Sequence, residues 1–105
     1  MPITDKQVTE NKVKFIFDTL EASGVSITAF SRLVNISRTA LHGWRNGQKG
    51  YDMLRLNVAY NYALRLDRAV KDGKLPLDGL YEVDEQLSEL RRIVAAANGA
   101  MRNDS

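Results

Sequence analysis

Hydrophobic residues recur along the chain at spacings of three and four, a pattern that is typical of amphipathic helices. The first such stretch spans residues 5–22 and has Val13, Ile16 and Leu20 on one face. It ends before Gly24, and glycine readily adopts the left-handed backbone that follows a helix. The pattern therefore predicts a first helix over residues 5–22.

Two shorter apolar stretches follow, over residues 27–34 and 37–46. Ser26 and Ser37 stand at their starts, where a serine hydroxyl can accept a backbone N–H of the first turn. Asn35 lies between them and tolerates a tight, left-handed turn. The stretch predicts two short helices that share an inner face, formed by Ala29, Phe30, Leu33, Val34, Ile36, Leu41 and Trp44.

A fourth helix is predicted over residues 51–72, where Gly73 and Pro76 end the pattern. Two neighbouring apolar stripes run along it, and a surface this wide implies burial on more than one side. The first stripe contains Tyr51, Leu54, Val58 and Tyr62, and the second contains Ala59, Ala63, Leu66 and Val70.

The last predicted helix begins at about residue 78 or 80 and ends near residue 98, with Gly99 as its C-cap. Its apolar residues alternate in steps of three and four, which forms a heptad seam of the kind found in coiled coils. This seam predicts a dimer interface, although the helix could instead pack back on the first or fourth helix. Ala97 and the neighbouring Ile93 weaken a pure coiled coil, so an antiparallel or four-helix pairing is also open. The seam residues are Leu80, Val83, Leu87, Leu90, Val94 and Ala97.

A length of 105 residues favours one domain. Within it, residues 1–75 would form a DNA-binding bundle and residues 76–105 a packed C-terminal helix for dimerisation. The net charge is only +2, but its distribution is uneven. Although the chain has 13 acidic residues, none lies between positions 22 and 51. That interval contains Arg32, Arg38, Arg45 and Lys49, so its surface favours a polyanionic partner.

The third helix has the two faces that a DNA-recognition helix requires. Leu41 and Trp44 face the core, whereas the opposite side offers donors and acceptors to base edges in the major groove. An arginine there can bind a guanine through two hydrogen bonds. The alternative is a helical domain whose polar residues are merely solvated. The expected base contacts are Arg38, Thr39, His42 and Gly43, and the expected phosphate contacts are Ser26, Thr28, Asn46, Gln48 and Lys49.

This segment resembles the Cro and lambda-repressor-like family of helix-turn-helix domains. The resemblance covers residues 5–66 and rests on Phe30, Leu33 and Val34, on Ile36-Ser37-Arg38, on Leu41 and Trp44, and on Arg45-Asn46-Gly47. It implies a compact helical bundle that binds operator DNA as a dimer through the contacts named above, Ser26 excepted. The chain departs from the family at three positions. Family members often have glycine or another small residue in place of Asn35, usually alanine in place of Ser31, and a larger residue in place of Gly43. Its long fourth and fifth helices are additions to the family pattern.

The sequence favours a regulator over an enzyme. The only histidine lies on the predicted DNA face, cysteine is absent, and no spacing suits a metal or cofactor, so we expect none. We expect an all-α, five-helix bundle that contains a helix-turn-helix and a C-terminal dimerisation helix. Its expected function is that of a homodimeric, sequence-specific repressor on a palindromic double-stranded operator. The alternative is a protein-interaction adaptor or antitoxin-like protein. Without a signal-like or membrane-spanning apolar run, the expected location is the cytoplasm, with no membrane or small-molecule substrate as partner.

Overall fold

The fold is given by a computed structural model, which describes residues 5–47, 52–77 and 82–102. These parts of the chain are helical and contain no β-strand, which confirms the predicted all-α class. The helices are α1 (Asp5–Ser23), α2 (Ile27–Val34), α3 (Arg38–Arg45), α4 (Met53–Lys71) and α5 (Val83–Arg102).

The helix starts follow the predicted caps. The Ser26 hydroxyl accepts the N–H of Ala29 at 3.1 Å, and the Ser37 hydroxyl accepts the N–H of Ala40 at 3.1 Å.

The prediction for the end of α5 is wrong, because this helix continues through Gly99 to Arg102. A glycine inside a helix costs about 1 kcal/mol relative to alanine, and that alone does not end the helix. The predicted start at residue 78 or 80 lies outside the described residues.

The turn between α2 and α3 is fixed by backbone geometry and one serine. Asn35 has φ 58° and ψ 45°, which confirms the predicted left-handed conformation. The Ser31 hydroxyl donates to the carbonyl of Ile36 at 2.6 Å, and the N–H of Ile36 donates to the carbonyl of Ser31 at 3.1 Å. These paired bonds hold the chain where it leaves α2, and so they set the direction in which α3 begins.

Replacement of Ser31 by alanine should lower the free energy of unfolding by about 1 kcal/mol, because the Ile36 carbonyl loses its hydroxyl donor. Urea denaturation measures this change. Ser88, which is exposed on α5, gives a matched serine-to-alanine control that should shift stability by less than about 0.5 kcal/mol. Equal effects of the two substitutions would show that the Ser31 bond does not stabilise the turn.

Helices α1 and α4 lie side by side and run in the same direction. Thr9 contacts the Met53 sulfur at 4.0 Å, and Lys12 donates to the Asn57 side chain at 3.0 Å. Further along, the rings of Phe15 and Tyr60 meet edge to face with their centroids 5.5 Å apart. Because the contacting residue numbers increase together along both helices, α1 and α4 form a parallel pair.

Helix α5 packs on α4 and α2, so the predicted heptad seam is covered within the chain. Four residues of the seam are buried, namely Leu87, Leu90, Val94 and Ala97, and Leu90 is 0% exposed. Val83 is half-buried, and Leu80 lies outside the described residues. The sequence left open whether the seam pairs with a second copy or packs on the first or fourth helix. In the single chain, α5 packs on α4, as one of these alternatives predicts, and also on α2.

The expectation that both stripes of α4 are buried is wrong for the first one. Leu54 is 76% exposed and Val58 is 39% exposed, whereas Ala59, Ala63 and Leu66 are fully buried. Helices α1 and α5 pack against the inward face of α4. The outer side of α4, which carries Leu54 and Val58, is not covered by them. Tyr51 of the same stripe lies outside the described residues. We refer to Val8, Met53, Leu54 and Val58, the exposed large hydrophobic residues of the described chain, as the exposed apolar group.

Candidate nucleic-acid interface

Helix α3 separates its apolar and polar residues as the sequence predicts. Leu41 is 0% exposed and Trp44 is 7% exposed, so both belong to the core. Arg38, Thr39 and His42 are exposed. Successive positions of a helix are rotated by about 100°, which brings residues i, i+1 and i+4 to one side. These three side chains can therefore meet one ligand surface together.

Gly43 does not face outward, contrary to expectation, because it is buried. A glycine has only backbone surface, which adjacent side chains on a helix readily cover. The expectation that Gly43 faces outward is therefore wrong, while its base contact stays an untested prediction. The exposed part of α3 that could read bases is thus reduced to Arg38, Thr39 and His42.

The predicted phosphate contacts lie at two separate ends of the short helices. Ser26 and Thr28 flank the start of α2, where Ser26 is exposed and Thr28 is half-buried. Asn46 is exposed at the end of α3, and its backbone N–H donates to the carbonyl of His42 at 3.0 Å. Gln48 and Lys49 lie outside the described residues. Among the described phosphate candidates, Asn46 is therefore the exposed one next to α3.

In the folded chain, acidic residues of α5 lie beside α2, although residues 22–51 contain no acidic residue themselves. The Arg32 guanidinium donates to the Asp84 carboxylate of α5 at 3.1 Å. Close by, the Ser26 hydroxyl lies 3.5 Å from the side-chain oxygen of Gln86. Both contacts join α2 to the first turn of α5, which also carries Glu85. Helix α5 therefore lies against the Ser26 end of α2, and an approaching phosphate would meet carboxylates there.

Arg45 also has acidic neighbours. Its guanidinium lies 5.9 Å from the centroid of the Phe17 ring, in a groove that Asp18 and Glu21 also line. Arg38 differs, since it forms no ion pair with any carboxylate in residues 5–47, 52–77 and 82–102. Within the described residues, Arg32 is thus ion-paired whereas Arg38 and Arg45 are not, and Arg38 is the one that lies beside Thr39 and His42.

The described residues contain no group of three His, Cys, Asp or Glu side chains that could hold a metal ion. Nor does any helix among them have the length and apolar character needed to cross a membrane.

No protein-family model matches the chain, and neither a curated protein nor a solved structure matches it. The resemblance to the Cro and lambda-repressor-like family therefore rests on the residues of α2, the turn and α3 alone.

Proposed function

We propose that the protein is a sequence-specific transcriptional regulator that binds double-stranded DNA with α2, the turn and α3 as a helix-turn-helix. The observation that carries this proposal is the division of α3. Leu41 and Trp44 anchor one side in the core, while Arg38, Thr39 and His42 stand exposed on the other. A recognition helix needs this combination, because its supporting face must be rigid while its outer face contacts base edges.

The roles within the proposed interface follow from side-chain chemistry. Arg38 would bind a guanine through O6 and N7, Thr39 would contact a thymine methyl, and His42 would bond a neighbouring base. Asn46 would hold a phosphate beside α3, with Gln48 and Lys49 following it in sequence. Thr28 remains a phosphate candidate, while Ser26 is the weaker one because it lies at the acidic first turn of α5. A bound promoter would be closed to polymerase, so repression is the expected outcome.

The proposal includes a homodimer, since three base-reading side chains specify few base pairs and a palindrome doubles them. Pairing through Leu87, Leu90 and Val94 would require α5 to leave its own chain, because these residues are buried there. The exposed apolar group is not covered in this way, and we assign it to a second copy. Stable interfaces bury roughly 1,200–2,000 Å² in total, which four side chains cannot provide alone. The dimer should accordingly be weak in solution and stabilised by DNA.

A salt titration of duplex binding tests the proposal. Protein that neutralises phosphates releases counterions, so affinity should fall with a slope of about −0.9 per phosphate on logarithmic axes. Two phosphates already predict a loss of about tenfold when salt rises fourfold. Fluorescence anisotropy with a randomised duplex pool, followed by selection, measures both slope and sequence preference. Affinity too weak to measure at low salt would reject the regulator.

The exposed apolar group also favours a second candidate, a protein-interaction adaptor or antitoxin-like protein. Exposed apolar clusters mark protein contacts more often than isolated apolar residues do, and Leu54 is the most exposed member here. An adaptor would bind another protein through this group and would show no salt-dependent affinity for duplex DNA. The same titration therefore separates the regulator from a pure adaptor, whereas an antitoxin-like protein would combine both kinds of binding.

A further inference from the structure

A groove between α2, α4 and α5 brings two arginines together. It has a volume of about 330 Å³ and is lined by Tyr62 and Arg65 of α4, by Arg91, Val94 and Ala95 of α5, and by Leu33 of α2. Two of its lining side chains are cationic, one is a tyrosine, and the other three are aliphatic. This composition differs from the groove at Arg45, where Asp18 and Glu21 accompany the arginine.

Neither guanidinium of this groove has a carboxylate partner within the described residues. Three other arginines at described positions of the same two helices do have one. Arg68 pairs with Asp72 at 3.2 Å, Arg55 lies 3.5 Å from Asp52, and Arg92 pairs with Glu89. Arg65 and Arg91 have no acidic residue three or four positions away in sequence. Two like charges thus line one groove, and neither has a carboxylate of the described residues within ion-pair distance.

Arg65 also holds a buried donor that has no acceptor among the described residues. Its Nε is shielded from solvent, and no described residue accepts a hydrogen bond from it. Its guanidinium lies 5.3 Å from the centroid of the Tyr62 ring, and both residues line the groove. Buried polar atoms are almost always bonded, and a charged donor is the most unfavourable kind to leave unpaired. The missing acceptor points to a ligand that brings anionic oxygens.

We propose that this groove binds a small organic anion, in which a carboxylate or phosphate group contacts Arg65 and Arg91. Arginine presents a planar set of donors that matches both groups. The apolar body of the ligand would lie on Leu33, Val94 and Ala95, with Tyr62 at its side. The volume is at the small end of the range for ligand pockets, so the ligand has about the size of a substituted benzene ring.

An NMR titration of the full chain tests the groove with defined probes. Phenyl phosphate and benzoate supply the two anionic groups on one apolar body, inorganic phosphate supplies the anion alone, and benzyl alcohol is the neutral analogue. Phenyl phosphate or benzoate should cause saturable shifts at the Arg65 Nε–H and the Ala95 amide. Inorganic phosphate should bind more weakly, and benzyl alcohol should cause no saturable shift.

Matched variants locate the anion. Arg65→Met and Arg91→Met should each weaken probe binding about tenfold or more, because each removes a charged hydrogen-bond donor. Arg68→Met and Arg92→Met remove an arginine from the same helices and should leave affinity unchanged. Circular dichroism verifies that the variants fold. If Arg65→Met does not fold, Arg91→Met still tests the groove, because Arg91 is exposed and its replacement should not disturb the core.

Three results would overturn the proposal. The first is the absence of saturable shifts with either organic anion, and the second is an equal loss of affinity in the control variants. The third is a groove that responds to duplex DNA and to none of the small anions, which would assign Arg65 and Arg91 to the nucleic-acid interface. The small-anion titration requires no DNA, so its outcome is independent of the regulator proposal.

Discussion

Replacement of Leu90 by alanine should lower the free energy of unfolding by about 2–5 kcal/mol. Leu90 is 0% exposed and packs in the core cluster with residues of α2 and α4, so the change leaves a cavity that its neighbours fill only partly. The loss should be independent of protein concentration, because the contacts are made within one chain. Urea denaturation at several protein concentrations measures both quantities.

Leu54→Ala is the matched control, since it makes the same chemical change at an exposed position. At low micromolar concentration it should alter stability by less than about 0.5 kcal/mol. If Leu54 contacts a second copy, this variant should dissociate at a higher concentration in sedimentation experiments, while Leu90→Ala should not. A Leu90 variant of normal monomer stability that has lost a dimer would instead place the heptad seam between two copies.

Replacement of Arg38 by lysine should remove most of the preference for one base pair while preserving general DNA affinity. Lysine keeps the positive charge but cannot bind guanine O6 and N7 with the same pair of donors. The expected loss of discrimination is about 1–3 kcal/mol, which corresponds to roughly 5- to 150-fold in relative affinity. Competition binding with duplexes that differ at single positions measures it.

The salt dependence of the Arg38→Lys protein should match that of the wild type, because the number of positive charges is the same. Asn46→Ala is the contrasting variant, and it should weaken all duplexes by a similar factor. Arg68→Lys, on the exposed surface of α4 and paired with Asp72, should change neither quantity. Uniform weakening by Arg38→Lys, with base preference intact, would show that Arg38 contacts phosphate.

Local features of the fold were predictable because they depend on residues close in sequence. The serine caps of α2 and α3, the left-handed Asn35 and the inward Leu41 and Trp44 all involve contacts within one or two helical turns. Gly43 was not predictable in the same way. A helical wheel places its position on the outward side with Arg38 and Thr39, and local spacing does not show what covers the glycine backbone.

Charge pairing across the fold was the other feature that the sequence could not provide. Arg32 and Asp84 are 52 residues apart, so the acid-free stretch looked more uniformly basic than it is in space. The groove at Arg65 and Arg91 arises similarly, from two helices whose relative rotation no periodicity fixes. For the exposed apolar group, the pattern correctly marked Leu54 and Val58 as a stripe but could not show that α1 and α5 leave it uncovered.

The sequence by itself determined that the chain is helical, where α2 and α3 begin, and which side of α3 carries Arg38. Periodicity and capping encode these properties locally, since each depends on side chains within a few residues. Only the tertiary structure decided that the heptad seam is covered by α2 and α4, and that Arg65 and Arg91 share a groove. A heptad seam specifies that an apolar face must be buried, but the hydrophobic effect is non-directional. Which surface covers that face depends on packing among helices that lie far apart in sequence.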